Sequence, residues 1–459
     1  MVANHFKKNM QQININNLFR PEILNFSVDT KKLGLVNYVN LDNAATTPPL
    51  IAVETAVTNY MTSYGSVHRG AGTKSKISTD DYENSREVIK NFVHARPDDY
   101  VIFTGNTTGA MNTLAYFFSF LPGKVAVSAI EHSSSWLPWI KAEGIKMLGS
   151  QRTSLEDMDK VNESIQELGG GQVLRYDVSE KFEFNLDRIE QLLKIKSNHV
   201  KVLVATASSN VTGYCPDLKA IGKIAHRHGA YFIVDACQFI QHHPLDMQAL
   251  GIDFLVASGH KFYAPFGGGL LIAPKKFCDK FLPYQIGGGN LPYITEGGEF
   301  LRYQNQLAHD PGTPNAVGAV AIAAALKELK VLGMKNVETY ETNLTKKAYA
   351  TLKKNPNVIL HVNEKQLNTV IPFSIKGQDA TMVAEKLNSD FGIGVRAGSF
   401  CVYNVVRKLM HVKNESTIVA AVKNGDTSKV PSIIRASFGL ANRPEDVERF
   451  IKAITALTK

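Results

Sequence analysis

Cysteine is scarce in this chain: four residues, Cys215, Cys237, Cys278 and Cys401, form no C-x-x-C pair and follow no zinc or disulfide spacing. This predicts reduced thiols, a cytoplasmic location and no structural metal. No uninterrupted apolar run reaches the roughly 18 residues that a bilayer crossing needs, so no membrane segment is expected. Residues 1–17 are polar, with Lys7 and Lys8, and lack the apolar centre of a secretory signal; they are read as part of the mature chain. No basic block interleaved with aromatics accompanies the net charge of +9. The lysines are spread through helix-like stretches such as 327–335 and 346–354, which describes a solvated surface and no nucleic-acid partner. A G-x-x-x-x-G-K-[ST] motif is missing too. Gly267-Gly268-Gly269 and Gly287-Gly288-Gly289 are not followed by Lys-Ser/Thr, which argues against a P-loop nucleotide enzyme. Neither an internal repeat nor a low-complexity segment is found.

What is present is an alternation. With 459 residues and 44% hydrophobic content, the chain can bury a large core and divides into two domains by expectation. From Leu41 to Pro283, short β-branched runs alternate with amphipathic stretches, the pattern of an α/β fold around a mainly parallel sheet. The predicted strands are 100–104, 124–128, 200–205, 231–235 and 254–258. Each ends in a polar cluster, and ligand sites of such sheets lie at the carboxyl ends of the strands. Residues 156–197 are polar and predict helical and hairpin excursions, and 413–430 reads as a surface insertion. An alanine-rich helix over 316–332 introduces a smaller α+β domain. The expected division is 1–40 as an N-terminal segment on the small domain, 41–314 as the large domain and 315–459 as the small one.

Two strand ends carry paired chemistry. Tyr231 to Asp235 places one carboxylate at the mouth of the sheet, where low dielectric demands a cationic partner. A protonated pyridine nitrogen is such a partner. The next predicted strand ends Ser258-Gly259-His260-Lys261, and a desolvated lysine amine is a nucleophile toward an aldehyde. Together, Asp235 and Lys261 predict pyridoxal 5′-phosphate (PLP), carried as a Schiff base on Lys261. Thr104-Gly105-Asn106-Thr107-Thr108-Gly109 opens a helix whose N–H groups and hydroxyls suit the cofactor phosphate; plain N-capping by Thr107 is the alternative.

Leu41-Asp42-Asn43-Ala44-Ala45-Thr46-Thr47-Pro48, Val67-His68-Arg69-Gly70, Glu131-His132, Ser209-Asn210-Val211-Thr212-Gly213, Asp235-x-x-Gln238, Ser258-Gly259-His260-Lys261, Gly312-Thr313-Pro314-Asn315 and Arg435-Ala436-Ser437 together resemble the class V aminotransferase family. Within it, they look most like the cysteine desulfurase and selenocysteine lyase branch, of PLP fold type I. The resemblance implies that His132 stacks on the ring, with Gln238 and Asn210 at its phenolic oxygen. It implies Thr107, Thr108, Ser258 and His260 at the phosphate, and Thr313 reaching the phosphate of a neighbouring subunit, hence a homodimer. Arg435 is expected to clamp the substrate carboxylate, with Asn210, His68 and Arg69 also in substrate binding; pairing of Arg435 with Glu445 or Asp446 is its alternative.

Cys401, in Val395-Arg396-Ala397-Gly398-Ser399-Phe400-Cys401, sits where that branch carries its nucleophile. The implied activity removes sulfur or selenium from L-cysteine or L-selenocysteine to give L-alanine, with a persulfide on Cys401 passed to an acceptor protein. Arg396 is expected to favour the thiolate. Ser399 and Phe400 stand where the branch usually has histidine, and Val402-Tyr403-Asn404 replaces its small residue and proline. Two alternatives stay open: transamination, epimerisation or β-elimination on another amino acid with Cys401 uninvolved, and a non-catalytic PLP-binding regulator.

Overall fold

The computed structural model describes residues 13–149 and 154–459. Most of the N-terminal stretch read above as lacking a signal, residues 1–12, lies outside the described residues. The central sheet has seven strands: β1 (Tyr100–Thr104), β2 (Lys124–Ser128), β3 (Val173–Tyr176), β4 (Val200–Thr206), β5 (Tyr231–Asp235), β6 (Phe254–Ser258) and β7 (Gly269–Ala273). Their order is β1-β7-β6-β5-β4-β2-β3. All neighbours run parallel except β7, which is antiparallel to both β1 and β6.

Alternation along the strands builds two cores. Successive side chains point to opposite faces, so Leu203, Ala205, Phe232, Val234, Leu255 and Ala257 enter one apolar cluster. Val202, Val204, Ile233, Phe254 and Val256 enter the other. Helices cover both faces, which is why β4 is buried along its whole length. The helices that matter for the site are α1 (Thr107–Ser119), which follows β1, and α2 (Ser133–Leu148), which follows β2. The alanine-rich helix α3 (Ala316–Leu332) runs over the residues expected and ends at Gly333, where α4 (Met334–Leu352) begins.

A second apolar cluster system surrounds a four-stranded antiparallel sheet of β8 (Val358–Leu360), β9 (Val370–Ile375), β10 (Arg396–Gly398) and β11 (Ile433–Ser437). The N-terminal residues touch both units. Leu18 and Phe19 pack in the large core, whereas Lys31 and Val39 hydrogen-bond Ser389 and Gly392 of the smaller one. The insertion over 413–430 contains a helix, Glu415–Lys423, none of whose residues is buried.

Two elements differ from the sequence reading. The polar stretch 156–197 supplies β3, and the glycine triplet opens β7. Gly269 has a steric reason: a Cβ there would lie 2.5 Å from the Asn106 backbone, so only glycine lets the turn before α1 settle on the sheet.

Candidate active site

The polar clusters at the ends of β1, β2, β4, β5 and β6 converge on one cavity of about 260 Å³. Its lining includes Thr107, Thr108, His132, Asn210, Asp235, Gln238, Ser258, His260 and Lys261. Asp235 ends β5 at 4% exposure, accepting from the Ser135 hydroxyl at 2.5 Å and the Cys237 N–H at 3.0 Å. Lys261 follows β6 in a single tight turn, and its Nζ donates to the Ala44 carbonyl at 2.9 Å. Burial, then the charges of Arg435 and Arg396, pull its amine below the ordinary lysine range against the opposing pull of Cys237 and Asp235. Burial and Lys261 likewise hold His260 below the usual histidine value.

His132 is the N-cap of α2, its Nδ1 accepting from the Ser134 N–H at 3.1 Å. Burial lowers its imidazole, helped by Lys261 and Arg435 and opposed by Asp235. Beneath it lies Glu131, fully buried, accepting from the Ser128 hydroxyl and from the Thr206 N–H at 2.7 Å. Burial and the nearby Asp235 charge push that carboxyl up to about 8. At the start of α1, Asn106, not Thr107, is the N-cap, accepting from Gly109 N–H at 3.0 Å. That frees the Thr107 hydroxyl, which lies 2.7 Å from the Cys237 sulfur, while the Thr108 hydroxyl meets Ser134 at 2.8 Å.

Arg435, on β11, is 2% exposed and pairs with neither Glu445 nor Asp446. Its partner is Asp42 at 2.9 Å, with a second donor on the Asn210 carbonyl at 3.1 Å. Burial, only partly offset by Asp42, lowers this guanidinium to about 10. Arg396 bonds the other Asp42 oxygen at 2.9 Å, so its side chain is engaged by a carboxylate and not directed solely at Cys401.

Cys401 is exposed, and it and Phe400 both adopt left-handed backbone, with φ of 56° and 53°. This costly geometry is pinned in place. The Cys401 carbonyl accepts from the Ser133 N–H at 2.9 Å and the Ser133 hydroxyl at 2.8 Å, and the Phe400 carbonyl accepts from Asn210 Nδ2 at 2.9 Å. The Arg435 guanidinium lies 4.7 Å from the Phe400 ring centroid. The cysteine loop is thus fastened to two elements that line the cavity.

Of the predicted residues, Cys401, Arg435, His68, Arg69 and Thr313 are not among those lining this cavity; Cys401 and Arg435 are tied to the elements that line it through Ser133 and Asn210. His68 Nε2 meets Glu83 at 2.8 Å, and Arg69 donates to the Gly312 carbonyl at 3.0 Å, which joins the His68-Arg69 and Gly312-Thr313 motifs to each other. Thr313 is exposed. Sequence reasoning gave no role to Asp42, Ser135 or Glu131; the first and last stood inside the quoted motifs, and the short Asx and strand-end clusters were their only signal.

The residues fit PLP on their own chemistry. Ser258 Oγ, Gln238 Oε1 and Arg435 Nε are buried and lack hydrogen-bond partners among the described residues, an arrangement that buried polar groups avoid unless something else satisfies them. A buried carboxylate, a desolvated amine and a helix start bearing two threonines complete the set. Comparison with known proteins agrees. A model of the aminotransferase class-V family matches residues 39–167 and 161–450. A probable cysteine desulfurase of Halalkalibacterium halodurans is 31% identical over 91% of this chain and 92% of its own length. A cysteine desulfurase of Escherichia coli is 27% identical over 94% and 95%. The apo structure of a cysteine desulfurase from Thermococcus onnurineus superposes with a TM-score of 0.77 at 27% identity, covering 92% of this chain and 94% of that one. The family's enzymes depend on PLP, and with its sheet, cavity and lysine in place this chain belongs to the aminotransferase class-V family.

Proposed function

We propose that the protein is a PLP-dependent cysteine desulfurase, taking sulfur or selenium from L-cysteine or L-selenocysteine and releasing L-alanine. The observation that carries this reading is the fastening of Cys401 to Ser133, beside His132, and of Phe400 to Asn210. A cysteine uninvolved in the chemistry would have no need of two consecutive left-handed residues fastened to the elements that line the cavity.

Lys261 is the residue that holds the cofactor, with Asp235 at its ring nitrogen, His132 against the ring, Gln238 and Asn210 toward its phenolic oxygen, and Thr107, Thr108, Ser258 and His260 at its phosphate. PLP supplies the electron sink that makes negative charge at the substrate's Cα and Cβ tolerable. Arg435 orients the substrate carboxylate, with its guanidinium held in place by Asp42. The Lys261 amine, depressed by burial, takes the Cα proton and returns one to Cβ. Cys401 attacks the substrate sulfur: an S–S bond forms, the C–S bond breaks, its electron pair goes to Cβ, and protonation there gives alanine. The sulfur remains on Cys401 as a persulfide for an acceptor protein. Arg69 and Thr313, on the outer surface of this chain, serve the neighbouring subunit of a homodimer. Among the described residues no helix is long and apolar enough to cross a membrane, and a cytoplasmic setting suits four free thiols.

The test is alanine and persulfide formation from cysteine by wild type and Cys401→Ala. The variant should keep the cofactor's visible absorbance and lose sulfur transfer. Undiminished desulfuration would remove Cys401 from the mechanism, and a keto-acid-dependent half-reaction in its place would favour transamination.

A further inference from the structure

A second sulfur-centred cluster lies apart from the Lys261 cavity. Cys215, half-buried in the turn before the helix Leu218–Arg227, has its Sγ 3.8 Å from His243 Nε2. The other ring nitrogen of His243 lies 3.1 Å from the Glu338 carboxylate on α4. Asn368 Nδ2 donates to the Cys215 sulfur at 3.3 Å and lies 2.7 Å from His243 Nε2. Asn368 is only 6% exposed, and its Oδ1 has no partner among the described residues. Gly213 holds the turn against it: with φ of 72°, a Cβ at Gly213 would sit 3.3 Å from Asn368 Cβ.

A sulfur, an imidazole in reach of it, a carboxylate on the imidazole's far nitrogen and an amide aimed at the sulfur are the parts that activate a cysteine nucleophile. Burial alone would lower His243; hydrogen bonds to Cys215 and Glu338, with their charges, lift it instead to about 9. Glu338, which faces that imidazole and Lys335, is held down near 2. Cys278 contrasts with Cys215, being sealed in the core and pushed up to about 12 by burial.

We propose that Cys215 is an activated thiol that forms mixed disulfides with low-molecular-weight disulfides, a redox-modification site separate from the PLP chemistry. The Cys215 sulfur attacks one sulfur of the disulfide. A new S–S bond forms as the old one breaks, the Cys215 sulfur is oxidised, and the departing sulfur leaves as the reduced thiol, taking its proton from His243. The Cys215 thiol passes its proton to His243 as it attacks and the imidazole supplies the leaving group's proton, so both halves of the exchange depend on the same imidazole.

The probe is glutathione disulfide, added to the fully reduced holoenzyme, with the extent of modification at each cysteine followed by peptide mass mapping. Cys215 should acquire glutathione at least about tenfold faster than Cys278, and Cys215→Ser should lose that adduct. His243→Gln should slow the reaction at Cys215 by about tenfold, the scale of one hydrogen bond to a charged group, and leave the rate at exposed Cys401 unchanged. A rise in Cys278 labelling reports a variant that has lost its fold, in which case Glu338→Gln makes the same comparison. A Cys215 as slow as Cys278 in wild type, or a folded His243→Gln with an undiminished rate at Cys215, overturns the assignment.

Discussion

Replacing Ser133 with alanine removes one of the three hydrogen bonds that hold Phe400 and Cys401 in left-handed backbone. Each non-glycine residue in that region costs about 1–2 kcal/mol, so the pair stores roughly 2–4 kcal/mol. Three hydrogen bonds at about 0.5–1.5 kcal/mol each return a similar sum. The loop therefore sits near balance, and loss of about 1 kcal/mol shifts its population by a factor of about five toward relaxed conformations. Turnover of cysteine should fall about two- to fivefold in Ser133→Ala, with the cofactor's absorbance unchanged because Ser133 does not line the cavity. Ser133→Thr, which keeps the hydroxyl, should restore it. The assay is alanine release under saturating cysteine, alongside a titration of PLP binding. Wild-type turnover in Ser133→Ala would refute the balance just described, and a parallel loss of PLP affinity would show that the residue acts on the cofactor instead of the loop.

Two further predictions concern the buried carboxyls. Asp235→Asn keeps the volume and removes the charge; with saturating PLP, turnover should drop about ten- to hundredfold, the worth of a charge-assisted hydrogen bond of roughly 1.5–3 kcal/mol, and unchanged turnover contradicts the role given to Asp235. Glu131 has its folded pKa raised from 4.5 to about 8, so between those values the folded chain keeps a proton that the unfolded chain has released. Its stability contribution therefore declines as pH rises from 5 to 8, by on the order of a few kcal/mol. Glu131→Gln should flatten that decline, read as the melting temperature of the apoprotein at pH 5 and pH 8; an equal fall in both proteins speaks against it.

The strands most legible in the sequence were those whose apolar run ends in a polar cluster, because burial on both faces and the position of the ligand site write both halves of that signal. Strands β3 and β7 lacked it. The first is a four-residue strand at the sheet edge carrying Arg175 within a polar stretch, and the second opens on a glycine that is there for the Asn106 backbone. Asp235, which closes β5, and Lys261, in the turn after β6, were legible from their strand ends, whereas the roles of His132 and Gln238 came from the family resemblance. The partner of Arg435 was hidden because Asp42 lies 393 residues away in sequence, while the nearer Glu445 and Asp446 belong to the first turn of the C-terminal helix, where Asp446 accepts from the Arg443 N–H. His68, Arg69 and Thr313 came from motifs alone, and in this chain their contacts are with each other's segments and with Glu83, away from the Lys261 cavity. The Cys215 cluster draws its members from four separate segments, so no local pattern announces it.

The central claim is that one amine, Lys261, carries the cofactor. Treating the PLP-loaded protein with borohydride and mapping its peptides should place a single reduced pyridoxyl group on Lys261, with Lys261→Ala taking up none there. A protein that remains colourless with excess PLP, or a pyridoxyl group fixed at some other lysine, contradicts the account.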